Sequence, residues 1–266
     1  MYPSLGLDHV YLRVQHLNPL LAFFQDCLGL PLSWPVRDEA FARYAWVNAG
    51  NAQLELWQAR SNEDLPFETK LPCIAGIALW PLNVHQARQS LEGLGVACKN
   101  PKTLRTISQD GELADNFTIC LVTDASSPAC QVFFCQWNPH APITPWPKGE
   151  STASRRERFA KELAATGGTI GVLGLQMIHM QAIDPDATAR VWVCLTGEHG
   201  CVAPDIALSI SKGSKIQITA LVFCVCGLSA AASALKSQGT STIVDGNILW
   251  IDERSTHGLR VGLSER

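Results

Sequence analysis

A unit of strand, helix and three further strands recurs four times along the 266-residue chain, about once per 65 residues, and this repeat narrows the fold more than any other feature. In the first copy Leu7–Val14 alternates apolar and polar side chains as a half-buried strand does. A helical pattern follows over Asn18–Leu28, with Asn18 as cap, Pro19 in the first turn and Gly29 just past the end. Strand-like runs then cover Leu32–Val36, Phe41–Val47 and Ala52–Gln58. The second copy begins at Ile74–Trp80, has a helix near Val84–Leu94 and returns through Phe117–Thr123 and Gln131–Gln136. A third starts at Leu173–Met180, with Asp184 and Pro185 opening a helix that Gly197 closes, and continues to Ile206–Ile210. The fourth runs from Ile216–Phe223 through the helix Ser229–Leu235 to Thr242–Val244, Ile248–Ile251 and Leu259–Leu263.

The repeats divide two and two around a proline-rich stretch, Asn138 to Thr169, whose second half carries Arg155-Arg156-Glu157-Arg158 on a helix expected to be mostly solvated. The expected organisation is α+β: four βαβββ modules forming two paired-module domains, residues 1–140 and 170–266, joined by a linker and short helix over 141–169.

Composition narrows the function classes. With 21 basic and 24 acidic residues and no Lys/Arg-rich run, the chain lacks the electrostatic footprint of a nucleic-acid or anionic-membrane partner. Its longest apolar stretches, such as Ile218–Leu228, fall short of the roughly 20 residues of a membrane span. No secretory pattern opens the sequence, so a cytoplasmic location is expected. Ten cysteines in such a chain read as buried apolar residues rather than a disulfide framework. Cys224 and Cys226, two apart, are expected on one face of a strand, and no Cys-x-x-Cys occurs. Phosphate loops, nucleophile elbows and His-Glu-x-x-His motifs are absent.

The βαβββ module, with His9 on its first strand (Asp8-His9-Val10-Tyr11-Leu12-Arg13-Val14) and Glu55 on its last (Gln53-Leu54-Glu55-Leu56-Trp57), resembles the vicinal oxygen chelate superfamily, which includes glyoxalase I, bleomycin-resistance proteins and extradiol dioxygenases. The stretch Phe133-Phe134-Cys135-Gln136-Trp137 and the linker after it also resemble two-domain glyoxalase-like members. The resemblance implies a concave cleft between paired modules, His9 and Glu55 as ligands of a divalent ion, and Glu55 as a catalytic carboxylate. Strand alternation agrees: both residues point away from the Val10, Leu12, Leu54 and Leu56 face. An imidazole and a carboxylate on one inner face suit Zn²⁺, Fe²⁺, Mn²⁺ or Ni²⁺.

The other modules depart from that pattern. Gly76 and Phe133 stand where a second ligand pair is expected, Leu175 takes the His9 place in the third copy, and the fourth ends Gly258-Leu259-Arg260-Val261 with no carboxylate expected on that strand. His140, three residues beyond Trp137, is the candidate for a third ligand or base. Trp34, Arg37, Phe41 and Trp46 are candidates for substrate contacts, since small-molecule pockets are mostly apolar with a few polar groups. Two functions follow from different classes. One is a metal-dependent lyase, isomerase or dioxygenase acting on an oxygen-rich small molecule; the other is a metal-free protein that binds or sequesters an aromatic one. The second pair of modules is expected to pack against the first or to support a homodimer.

Overall fold

The structure is a computed structural model and describes residues 2–61, 70–108 and 110–265. The first unit comprises β1 (Ser4–Arg13), α1 (Leu17–Ala22), β2 (Leu32–Asp38), β3 (Ala42–Asn48) and β4 (Gln53–Ala59). The second comprises β5 (Cys73–Pro81), α2 (Val84–Gly93), β6 (Lys102–Ile107), β7 (Leu113–Leu121) and β8 (Gln131–Trp137). After α3 (Thr152–Thr166) the third unit supplies β9 (Val172–Ala182), α4 (Pro185–Thr196), β10 (Cys201–Ala203) and β11 (Ile206–Lys212). The fourth supplies β12 (Gln217–Val225), α5 (Leu228–Ser237), β13 (Thr242–Asp245), β14 (Ile248–Ile251) and β15 (Val261–Glu265). The repeat thus holds, with the third unit one strand shorter than expected.

In each unit the last strand returns parallel to the first, so the helix crosses over on one face of the sheet. First strands of neighbouring units pair antiparallel, β1 with β5 and β9 with β12, making two seams. The two half-sheets join into one fifteen-stranded sheet through a single bridge, Ile218 with Ile74. Their apolar faces share one core, in which Phe24 after α1 meets Phe223 of β12 at 6.5 Å between ring centres. No helix among the described residues is long and apolar enough to cross a membrane.

Helix ends follow the local chemistry. The Asn83 side chain accepts bonds from the backbone of His85 and Gln86, and Asp184 from Ala187 ahead of Pro185. Gly197 closes α4 at φ 82°, the left-handed cap that glycine adopts without a Cβ clash. The first helix begins one residue before Asn18, with His16 at its cap, and passes into a π-helical turn over Phe23–Cys27.

Two expectations are corrected. The helix α3 is mostly exposed, as expected, but Arg155 of its charged run is buried in one stripe with Phe159 and Leu163, and Asn48 Nδ2 donates to the Phe159 carbonyl at 2.9 Å. Its amphipathic stripe lies on the loop between β3 and β4, which sequence spacing alone does not locate. Cys226 falls beyond the end of β12 and is exposed while Cys224 is buried, so the two do not share a strand face.

Candidate functional site

The first sheet buries Leu7, Val10 and Leu12 of β1 in the core, yet both Asp8 and His9 stand off that face. A register shift between Leu7 and His9 against β5 explains this, because a bulge interrupts alternation and lets two successive side chains share a side. Asp8 Oδ1 lies 2.7 Å from His9 Nδ1, and His9 Nε2 lies 3.4 Å from Glu55 Oε2. The expected meeting of His9 with Glu55 is therefore present, and Asp8 joins it.

This chain of groups is deeply placed. The side chains of Asp8, His9 and Glu55 are 1%, 5% and 13% exposed, so little water screens their charges. Burial alone would lower the His9 pKa, but the Asp8 hydrogen bond and the charges of Glu55 and Asp8 outweigh it and hold the imidazole above its usual value. Burial raises Glu55, partly offset by His9 and by the nearby Trp46 indole. Tyr11, opposite Glu55 in the parallel register, is pushed up to about 12 by burial and by the Glu55 charge. Burial also keeps the Cys135 thiol well above its ordinary value.

An aromatic layer covers the pair. Trp46 meets the His9 ring at 4.7 Å and Phe133 meets it at 5.9 Å. Trp34 lies edge-on to Trp46 at 5.7 Å, and Trp137 reaches both. Phe41 is 60% exposed and stacks on Trp57 at 5.5 Å, a step away from His9. Arg37 lies over Trp34 at 5.8 Å and pairs with Glu39 at 2.7 Å. His140 is exposed, with only its backbone N–H bonded, to Asn138, and no contact brings it to the His9–Glu55 pair.

The stretch 138–151 contributes most of what the sequence reading missed. It crosses the concave face as a strap, placing Trp146 against Trp137 at 5.0 Å. Arg155, just beyond it on α3, lies 3.3 Å from the Trp146 ring centre and 4.8 Å from that of Trp80. Burial lowers Arg155 to about 10 against the opposing pull of Asp8 and Glu150. Arg155 Nε, Asp8 Oδ2 and Gln53 Oε1 are buried without hydrogen-bond partners, and their residues line one cavity of about 20 Å³. That is room for one water with three polar partners. Near the strap, Trp34, Arg37, Ile107, Ser108, Pro142, Ile143, Thr144 and Lys148 line an open cleft of about 480 Å³.

The strand register tests the idea of a second ligand pair. Glu55 pairs with Tyr11, two residues after His9, and Phe133 pairs with Ala78, two after Gly76. Gly76 and Phe133 therefore do occupy the equivalent places. A Cβ at Gly76 would stand 2.2 Å from the Gln131 carbonyl oxygen, so a histidine does not fit there. Counted seven back from each helix cap, the His9 place falls on Met177 and Ala220 in the later units; Leu175 is a core residue. The Glu55 place falls on Ser209 and Gly262. β15 does end in a carboxylate, Glu265, but that residue is exposed and three places beyond Gly262.

His9 Nε2 and Glu55 are spaced as two neighbouring ligands of one ion would be, and Asp8 orients the ring as a carboxylate behind a metal-bound histidine does. Among the described residues no group of three His, Cys, Asp or Glu side chains is arranged to hold a metal. Among the described residues, two donors under a tryptophan layer are one short of the three protein ligands of a catalytic zinc site.

Residues 6–109 match the sequence model of the Glyoxalase/Bleomycin resistance protein/Dioxygenase superfamily. No curated protein matches the chain. Among solved structures, the Mn(II)-bound glyoxalase from Novosphingobium aromaticivorans is similar at 14% identity and TM-score 0.59, covering 100% of this chain and 83% of that one. The homoprotocatechuate 2,3-dioxygenase from Arthrobacter globiformis is similar at 12% identity and TM-score 0.58, with 100% and 81% covered. A catechol 2,3-dioxygenase gives 13% identity and 0.57, with 100% and 89% covered. At such identities the likeness is one of fold.

Proposed function

From the match of residues 6–109 to the Glyoxalase/Bleomycin resistance protein/Dioxygenase superfamily model, we infer that this chain belongs to that superfamily and binds a small planar molecule bearing an oxygen function, without a protein-held metal. The observation that carries this reading is the cleft of about 480 Å³ opening on Trp34, whose ring leads through Trp46 to His9. Its volume lies within the range of small-molecule sites, and its lining joins apolar surface to a few polar groups.

In this reading a flat ligand rests on Trp34 between Ile107 and the strap residues Pro142–Thr144. Arg37 and Lys148 at the rim offer hydrogen bonds to its oxygen atoms. The His9–Glu55 pair sits behind the aromatic layer and supplies the polar floor. His9 Nε2 and Glu55 Oε2, 3.4 Å apart, offer that ligand a donor and an acceptor side by side. Access to that floor requires the strap to yield, since Trp146 and Arg155 close the inner face. A metal-dependent lyase, isomerase or dioxygenase would need a further ligand beside His9 and Glu55, from the substrate or from elsewhere in the chain.

The test is ligand-observed NMR with planar oxygenated fragments, run on protein as purified and after chelation, beside elemental analysis. Binding that survives chelation and is lost in Trp34→Ala supports the reading. Near one equivalent of metal that disappears in His9→Ala, with binding dependent on it, would replace it by the metal-dependent alternative.

A further inference from the structure

The inner face of the third and fourth units carries polar groups of its own. His179 of β9 stands where Tyr11 does in the first unit, since each pairs in the parallel register with the residue at the Glu55 place, here Ser209. Trp250 of β14 stands where Trp46 does, because each is the cross-strand partner of the residue at that place in its own unit, Glu55 or Gly262. With no glutamate beneath it the indole lies down: a Cβ at Gly262 would stand 3.0 Å from two carbons of the Trp250 ring. Ala220, paired with His179 on the intervening strand β12, contributes only a methyl group. The His179 and Trp250 rings therefore meet, at 5.8 Å between centres.

Two groups on this face are left without partners of opposite kind. His179 Nε2 is buried and makes no hydrogen bond, a condition that calls for a bound group in a native structure. Arg260, just before β15, is exposed and lies with its guanidinium 4.3 Å from the Trp250 ring centre. It makes no ion pair among the described residues. The same indole thus carries a cation on one side and an unsatisfied imidazole on the other.

We propose that this face is a second binding site, which takes the carboxylate of a small organic acid between the Arg260 guanidinium and His179 Nε2. The donor set selects the ligand. A guanidinium only donates, and an imidazole carrying its proton on Nε2 adds one more donor, so the pair is completed by an acceptor. Burial and the Arg260 charge hold His179 below its ordinary value, so at neutral pH the two groups together carry one positive charge. One charge and a planar fork match a carboxylate; a phosphate brings more charge and more oxygens than these two groups satisfy. The half-buried Trp250 and Met177, the latter at the His9 place, offer apolar surface to the body of the acid. Arg260 gives up only its ring contact when it turns its fork to the ligand.

The probe is benzoate, with benzamide as its uncharged counterpart, titrated into the full chain. The readout is the His179 imidazole resonances in nitrogen-edited NMR, identified by their loss in His179→Gln. Benzoate should move them saturably and benzamide should leave them in place. Arg260→Gln, at an exposed position, should weaken benzoate by about tenfold or more, as loss of a charge-assisted hydrogen bond does. Trp34→Ala, which alters the cleft of the first unit, should leave the response unchanged. Resonances that stay still throughout, or that move equally in Arg260→Gln or with benzamide, would overturn the proposal. So would binding lost in Trp34→Ala and kept in Arg260→Gln, because benzoate would then occupy the other cleft. Inorganic phosphate acting at lower concentration than benzoate would overturn the assignment to carboxylates.

Discussion

Gly76→Ala gives the sharpest measure of why the first sheet carries one polar pair rather than two. A Cβ at this position would lie 2.2 Å from the Gln131 carbonyl oxygen, 3.1 Å from its carbonyl carbon and 3.2 Å from its nitrogen. These are backbone atoms of the neighbouring strand, paired with Gly76 in the parallel register, so no rotamer change relieves the contact. β8 must retreat by about 1 Å, which carries one or two ladder bonds past the roughly 3.5 Å at which a hydrogen bond ceases to count. Overpacking of this kind costs about 1–3 kcal/mol, and each weakened bond adds about 1 kcal/mol, so the expected loss is roughly 2–5 kcal/mol. With an unfolding entropy of about 2.1 cal/mol/K per residue over the whole chain, that is a drop in Tm of about 4–9 °C. Differential scanning calorimetry reads the shift, and hydrogen exchange should show the amides of β8 opening first. A Tm within about 1 °C of wild type would refute the reasoning and restore position 76 as a place where a ligating side chain fits.

Other outcomes follow from the site itself. The pKa of His9 is raised on folding, so the stability it adds is present below its unfolded value near 6.5 and is lost as pH rises through the folded value; Glu55, also raised, acts in the same direction. The stability advantage of wild type over His9→Asn should therefore shrink as pH rises above about 6.5, by at most about 1.4 kcal/mol per pH unit, and a gap that widens would contradict this. Arg155→Met should cost about 1–3 kcal/mol in urea unfolding because it removes a buried guanidinium that stacks on Trp146 and offsets the charges of Asp8 and Glu150, and Arg155→Lys should not restore the stacking. If Arg155→Met unfolds at the wild-type midpoint, the buried guanidinium does not contribute to the stability of this face. Trp146→Ala should speed acylation of His9 by diethylpyrocarbonate, followed by peptide mapping, because the strap loses its anchor against Trp137; an unchanged rate would mean that the strap does not guard the pair.

Much of this arrangement is legible along the chain. Alternation in Asp8–Val14 and in Gln53–Trp57 brings His9 and Glu55 to one face, and they meet at 3.4 Å. The glycines and prolines that punctuate the repeat stand where the helices end or begin, as Gly29 and Gly197 do with positive φ and Pro185 does at the start of α4. Asp8 lies out of reach of alternation because a bulge, set by pairing with β5, turns it to the same side as its neighbour. Nearness in sequence and ring chemistry point to His140 and Phe41, yet one is solvated at the head of the strap and the other stacks on Trp57.

The repeat, the βαβββ order within it and the facing of single side chains are written in the chain itself, because each rests on periodicities of two or 3.6 residues that operate within a few positions. The rest depends on partners far apart in the chain. Arg155, which reads as part of a charged surface run, is buried because α3 lies across the loop after β3 and sets it between two tryptophans. Gly76 reads as an open position, and is closed by a carbonyl of β8. The strap over residues 138–151 reads as a linker, and becomes the cover of the polar pair because Trp146 finds a ring on β8 to pack against. Such burial comes from surfaces that meet only after the units have paired, and no local period records it.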